Sequence, residues 1–193
     1  MLGQKTDRTQ LIFKSVSEIV GAADIGLLIL TDEQEERQIA IPCNSALVND
    51  FRHRLTKGGS QKPTLAETLW SFISRTGEYA FEIEIECISQ GEYTAVLSET
   101  EHFSEEIMDV GQAILLSYIS HGEVLIFMDT QLFQRQSTPY DPHTAAIALP
   151  VNVLSPEMLQ SALDKAIETE NYELAQQLKQ ELENRKKNNN DNQ

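Results

Sequence analysis

The strictest pattern in the sequence is an alternation of apolar and acidic residues at positions 80–88, AFEIEIECI. In an extended chain, successive side chains point to opposite faces, so Phe81, Ile83 and Ile85 share one face and three glutamates share the other. The turn sequence SQGE follows, and a second extended stretch, YTAVLSE, occupies residues 93–99. This pattern predicts an antiparallel β-hairpin with one buried face and one face in water, so the fold must contain a sheet.

Further strands are predicted on both sides of this hairpin. The apolar run IGLLIL at 25–30 is followed by a polar turn and by RQIAIPC at 37–43, an arrangement typical of a second hairpin. EVLIFM at 123–128 predicts another short buried strand, and DTQLF after it a helical turn.

Helices are predicted between these strands. The first covers about 45–56 and is capped by Asn44 or Ser45. Thr64 starts a second helix and Glu67 completes a capping box. Leu65, Leu69, Phe72 and Ile73 form its apolar stripe, and a third helix is predicted over 104–121. Strands interspersed with helices and hairpins predict an α+β fold, with a mixed, largely antiparallel sheet and packed helices.

A separate helical hairpin is predicted at the C-terminal end. Ser155, Pro156 and Glu157 form a helix start, and Asn171 can cap a second helix after a short turn at 168–170. Each helix carries one apolar stripe, and these residues are the predicted partner-binding set: Leu159, Ala162, Leu163, Ala166, Ile167, Tyr172, Ala175, Leu178 and Leu182. So short a unit needs a surface to cover its stripe, either its own domain, a second copy or another protein.

These signals divide the chain into four parts. Residues 1–135 form the α+β domain, 136–154 a linker, 155–187 the hairpin and 188–193 a disordered polar tail.

The charge balance narrows the classes of partner. The chain has thirty acidic and fifteen basic residues, for a net charge of −15. This charge disfavours nucleic acid as a partner, because binding to phosphate backbones depends on Lys and Arg. Cys43 and Cys87 have no CxxC spacing and are interpreted as reduced thiols. With no secretory signal and no run of about 18 apolar residues, a cytoplasmic protein without a membrane span is predicted.

The C-terminal stretch LQSALDKAIETENYELAQQLKQEL resembles the UVR motif, first described in the B and C subunits of the bacterial excinuclease. Leu159, Ala166, Ile167, Tyr172 and Ala175 are among the matching positions, as are Glu173 and Leu178. The sequence departs from the motif at Gln176, Lys179 and Gln180. UVR motifs are docking hairpins, so the resemblance implies contact with a protein partner and does not by itself imply DNA repair.

The order of elements in the larger domain is similar to that of the bifunctional nuclease domain family of bacteria, in which some members also carry a C-terminal UVR hairpin. Two motifs of that family are changed here. In KPTLAE, Leu65, Ala66 and Glu67 stand where the family has Thr, His and Asp. In IMDVGQA, Ile107, Asp109, Gly111 and Gln112 replace an Asp, an Arg, a Ser and a second Asp.

The loss of these groups removes the carboxylates and the arginine that could hold a metal or stabilise phosphoryl charge. The predicted function is therefore a non-catalytic interaction module that self-associates, as a dimer, as the resemblance implies. A metal-dependent DNase or RNase using Mg²⁺ or Mn²⁺ is the alternative, and Glu67 and Asp109 are its weak catalytic candidates. No cofactor is otherwise expected.

Two other groups of residues are candidates for binding. Arg52, His53 and Arg54 lie together in FRHRL and form a weak candidate anion site against the alternative of a solvated helix face. No resident metal site is predicted. His102 and Glu106 would face one another only in a helix, and the glutamates of the alternating strand are interpreted as a solvated face.

Overall fold

A computed structural model describes residues 7–19, 22–56, 62–77, 79–87, 92–101, 103–142, 154 and 156–190 of the chain. Its strands are Arg8–Ile19 (β1), Ala22–Asp32 (β2), Arg37–Asn44 (β3), Phe81–Cys87 (β4), Tyr93–Glu99 (β5), Ser104–Met108 (β6), Leu125–Asp129 (β7) and Thr138–Pro139 (β8). Its helices are Ser45–Leu55 (α1), Leu65–Thr76 (α2), Val110–Ile119 (α3), Thr130–Gln136 (α4), Pro156–Glu168 (α5) and Tyr172–Asn190 (α6). The predicted α+β class with a C-terminal helical hairpin is confirmed.

The strands of the described residues form one eight-stranded sheet in the order β6-β5-β4-β7-β1-β2-β3-β8. Neighbouring strands are antiparallel except for β4 and β7, which are parallel. The alternating segment that opened the sequence analysis forms the predicted hairpin, with Phe81 opposite Glu99 and Cys87 opposite Tyr93. The predicted mixed, largely antiparallel sheet is therefore confirmed.

The main core lies between one face of the sheet and helices α1 and α3. Leu28 of β2, Phe51 of α1 and Ile114 of α3 are completely buried there, and the Phe13 ring stacks on Phe51 with centroids 4.6 Å apart. Asn44 rather than Ser45 caps α1, because its Oδ1 accepts a 2.9 Å hydrogen bond from the Leu47 N–H.

Two glycines allow α1 to approach its neighbours closely. A Cβ atom at Gly26 of β2 would overlap the Val48 side chain of α1, and one at Gly111 of α3 would overlap Leu47. The absence of a side chain at both positions is therefore a packing requirement.

The hairpin of α5 and α6 packs against β2 at Ile25. Ile25 is buried in a second apolar cluster with Leu154 and with five hairpin residues: Leu159, Ala162, Ala166, Ala175 and Leu178. Of the three surfaces considered from the sequence, its own domain covers the buried part of the stripe. The described residues include no helix with the length and apolarity needed to cross a membrane.

The predicted helix over 104–121 is wrong in its first part. Residues 104–108 form strand β6, which pairs with β5 so that Ala95 lies opposite Met108, and α3 begins only after Asp109. Pairing with an available strand edge overrides local helix propensity here. The candidate pair of His102 and Glu106 required a helix, and Glu106 lies in this strand; His102 is outside the described residues.

Two predicted boundaries also differ from the structure. Thr138–Pro139, inside the predicted linker, forms strand β8 against β3, and the Arg37 side chain donates to the Ser137 hydroxyl and carbonyl at 2.7 Å and 2.6 Å. At the other end, α6 continues to Asn190, into the predicted disordered tail. The sequence did not predict β8, because two residues can extend a sheet without any periodic signal.

Candidate functional site

A pocket of about 320 Å³ lies where α1, the start of α2 and the end of α3 meet. Its basic and acidic lining residues are His53, Arg54, Lys62, Glu67 and His121. The fold thus brings together two of the predicted anion-site residues and one of the two predicted catalytic candidates. Arg52, the third member of the predicted anion site, is exposed and does not line the pocket.

Arg54 and Glu67 form the central interaction of this pocket. The Arg54 Nε donates to Glu67 Oε1 at 2.7 Å, and the Thr64 N–H donates to Glu67 Oε2 at 2.9 Å. The Thr64 hydroxyl also bonds Oε2. Both carboxylate oxygens are therefore occupied, one by a cation from α1 and the other by the capping box that starts α2.

These contacts fix the charges of both groups. Partial burial of Glu67 opposes its ionisation, but the hydrogen bonds from Arg54 and Thr64 outweigh it and lower the pKa of the carboxyl to about 2. For Arg54, burial lowers the pKa, but the hydrogen bonds and charges of Glu67 and Asp50 together outweigh burial, so that the net pKa is raised. At neutral pH Glu67 is a fully charged structural carboxylate, and such a low pKa makes it a poor general base.

The second catalytic candidate, Asp109, lies elsewhere. Its Oδ1 accepts a 2.9 Å hydrogen bond from the Gln112 N–H and caps the N-terminus of α3. The pocket is at the other end of that helix, where Tyr118 and His121 contribute to the lining, and a helix of 10 residues is about 15 Å long. Glu67 and Asp109 are not brought into one site.

Among the described residues, no group of three or more His, Cys, Asp or Glu side chains is arranged to hold a metal ion. The glutamate face of β4 is neutralised in part by Arg8, which contacts Glu82 at 2.7 Å and Glu84 at 3.6 Å and lies over the Phe127 ring. The pocket lining, with more basic than acidic groups, suits an anion better than a cation.

The C-terminal hairpin separates its predicted partner-binding residues into two groups. Leu159, Ala162, Ala166, Ala175 and Leu178 are buried, and Leu163 and Leu182 are half-buried against the same cluster. Ile167 and Tyr172, on either side of the turn, remain 55% and 69% exposed. The base of the stripe is thus covered, and two large apolar residues project at the turn.

A well-defined turn positions these two residues. The Asn171 N–H donates to the Ala166 carbonyl at 2.8 Å and the Glu170 N–H to the Ile167 carbonyl at 3.1 Å, which is the Schellman pattern. Glu170 occupies the left-handed position with φ 55°. Asn171 then caps α6, as predicted, by accepting from the Leu174 N–H at 3.3 Å.

Arg185 is a structural residue that the sequence analysis did not identify. Its side chain is buried, and it donates to the Leu154 carbonyl at 2.6 Å and to Glu181 at 2.9 Å. These bonds tie the C-terminal half of α6 to Leu154, two residues before α5. The i,i+4 spacing of Glu181 and Arg185 was the available signal, but the same spacing is common on exposed helix faces.

No model of a known protein family matches this sequence, and no curated protein is significantly similar to it. The resemblances to the bifunctional nuclease domain and to the UVR motif therefore stay predictions. They rest on the motifs quoted above and on the order of the elements.

Proposed function

We propose that this protein is a non-catalytic interaction module, in which a nuclease-like α+β domain carries a helical hairpin that docks on a protein partner. The observation that carries the proposal is the exposure of Ile167 and Tyr172 at the turn of a hairpin whose base is buried on β2. We call these two residues the hairpin tip. Large apolar residues held on a rigid turn are typical of interface anchors.

The chemistry of the tip indicates the kind of partner. Glu168, Glu170 and Glu173 are exposed around the two apolar residues. An interface with an apolar centre and an acidic rim fits a partner surface with an apolar pocket and basic neighbours. Nucleic acid is not the proposed partner.

The state of the carboxylates supports the non-catalytic half of the proposal. Glu67 is held by Arg54 and by the capping box, and Asp109 caps a different helix end. The two carboxylates lie at different helix starts, where their hydrogen bonds serve structure instead of general-base or metal chemistry.

The proposal also includes a cytoplasmic location and self-association as a dimer, as expected from the sequence. The free thiols of Cys43 and Cys87 fit a reducing compartment.

A binding experiment with the full-length chain tests the docking role. The variant Ile167→Glu/Tyr172→Glu puts two negative charges on the tip without changing the buried stripe, and the control Ile107→Glu puts one on an exposed residue of β6. Proteins cross-linked to the wild-type chain in cells should be lost from the tip variant and kept by the control. Recovery of the same partners by the tip variant would mean that the hairpin serves only for packing.

A nuclease assay tests the competing function. Single-stranded DNA and RNA are incubated with the purified chain and Mg²⁺ or Mn²⁺, next to the Glu67→Gln variant. We expect no cleavage above background by either protein. Metal-dependent cleavage that co-purifies with the wild-type chain and is absent from the variant would overturn the non-catalytic assignment.

A further inference from the structure

Helix α2 turns its apolar stripe away from the domain. Leu65, Leu69 and Phe72 lie at i, i+4 and i+7 on one face, and they are 74%, 52% and 66% exposed. We call these three residues the α2 stripe. The opposite side of the helix faces the sheet, where Trp70 meets the Phe81 ring with centroids 6.2 Å apart.

The helix is unusual because none of its residues is buried. A helix of 12 residues is marginal by itself in water, and in proteins such helices are stabilised mainly by covering their apolar face. The α2 stripe thus needs a cover that the described residues do not supply.

We propose that the cover is the α2 stripe of a second copy of this chain, related by a two-fold axis. This inference rests on the proposed self-association and assigns a surface to it. The choice of occupant follows from charge: two chains of net charge −15 repel one another, so a face with few acids favours their association. The only charged residues of α2 are Glu67 and Arg75, and Glu67 is already paired with Arg54.

Two other exposed apolar surfaces, at Ile107 and at the hairpin tip, do not meet this requirement. Ile107 on edge strand β6 lies beside Glu105 and Glu106, so the pairing of two β6 strands would place acids opposite acids. At the hairpin tip, Ile167 is flanked by Glu168 and Glu170. Those surfaces suit a basic partner, whereas the α2 stripe suits a second copy.

A two-fold axis perpendicular to α2 gives the contact a definite geometry. The two α2 helices run antiparallel, with Leu69 and Phe72 nearest the axis because they lie at the middle of the helix. The two Arg75 side chains then lie at opposite ends, more than about 10 Å apart along the helices, where salt screens their repulsion. The two helix dipoles also oppose one another.

The size of the full-length chain in solution tests the surface. Sedimentation or light scattering over a concentration series, at fixed ionic strength, should show a monomer–dimer equilibrium. Leu69→Glu and Phe72→Glu should raise the dimer Kd roughly 30-fold or more, as expected for central interface residues. The matched controls Ile167→Glu and Tyr172→Glu make the same changes at the hairpin tip and should leave the dimer Kd unchanged. Circular dichroism confirms that each variant is folded.

A cross-linking experiment gives an independent readout. In a Cys87→Ser background, Leu69→Cys should form a disulfide-linked dimer under mild oxidation, whereas Tyr172→Cys should not. A dimer that keeps its wild-type Kd in both Glu variants would overturn the α2 surface and leave the proposed self-association standing. A wild-type chain that is monomeric at all concentrations would overturn both. Neither result bears on the hairpin partner, which the tip variant tests separately.

Discussion

Arg54 and Glu67 join α1 to the first turn of α2 through a 2.7 Å contact between Nε and Oε1. The same carboxylate accepts from the Thr64 backbone, so one side chain both caps a helix and neutralises a partly buried guanidinium. Glu67, which the sequence offered as a weak catalytic candidate, is here a structural link. Its loss is therefore expected to affect stability and not activity.

We expect Glu67→Gln to lower the free energy of unfolding at pH 7 by about 1–2 kcal/mol, because it weakens a helix cap and an ion pair. The pKa of Glu67 is about 2 in the folded chain and lies near 4.3 when unfolded. Its depressed pKa stabilises the fold above about pH 4.3, and this stabilisation is lost as the pH falls towards 2.

Denaturant unfolding of both proteins between pH 7 and pH 2.5 measures this effect. The difference in the free energy of unfolding between wild type and variant should be constant above about pH 5 and should become smaller as the pH falls below it. Asp50→Asn is the control, since Asp50 is half exposed and lies 3.4 Å from Arg54, and its effect should stay under about 0.5 kcal/mol. A difference that does not change with pH would show that the charge of Glu67 contributes nothing.

Gly26→Ala should lower the free energy of unfolding by about 1–3 kcal/mol, because the new methyl group meets the Val48 side chain in a packed core. A double-mutant cycle with Val48→Ala isolates that contact. Gly26→Ala should cost clearly less in the Val48→Ala background than in the wild type. Equal costs in the two backgrounds would place the strain elsewhere, for example in the backbone of β2.

Cys43 should react far more slowly with thiol reagents than Cys87 does in the native protein. Burial, followed by the nearby Asp109 carboxylate, raises the pKa of the Cys43 thiol to about 12, although the Gly26 N–H partly opposes this. Since only the thiolate is nucleophilic, Cys43 is protected chemically as well as sterically. Mass spectrometry after brief iodoacetamide treatment should show one alkylated cysteine in native protein and two in denaturant. Rapid alkylation of Cys43 without denaturant would contradict this.

The sequence predicted the elements that have their own periodicity or caps. The β4–β5 hairpin alternates strictly, and Thr64, Asn44 and Asn171 are capping residues at helix starts. These signals are local, so they can be identified without knowledge of the tertiary fold.

Features that depend on tertiary partners were not predictable in this way. The sequence predicts a helix at residues 104–108 because no local pattern indicates that they form an edge strand. The true helix start was indicated by Asp109, followed three residues later by Gln112. The periodicity of α2 predicted its stripe but not its outward direction. Glu67 and Asp109 are separated because the pocket that contains Glu67 lies at the C-terminal end of α3, whereas Asp109 caps its N-terminal end. No residue spacing in the sequence predicts this arrangement.

Arg185→Met should loosen the base of the hairpin, because it removes the bond to the Leu154 carbonyl and leaves Glu181 without its 2.9 Å contact. We expect a loss of about 1–3 kcal/mol, typical of a buried charged hydrogen bond, and faster amide exchange along α6. Lys179→Met, on the exposed side of α6, makes the same replacement of a basic residue and should change stability by less than about 0.5 kcal/mol. Hydrogen exchange followed by mass spectrometry resolves α6 from the sheet. If the α6 amides exchanged no faster in Arg185→Met than in Lys179→Met, the apolar cluster around Ile25 alone would hold the hairpin on β2.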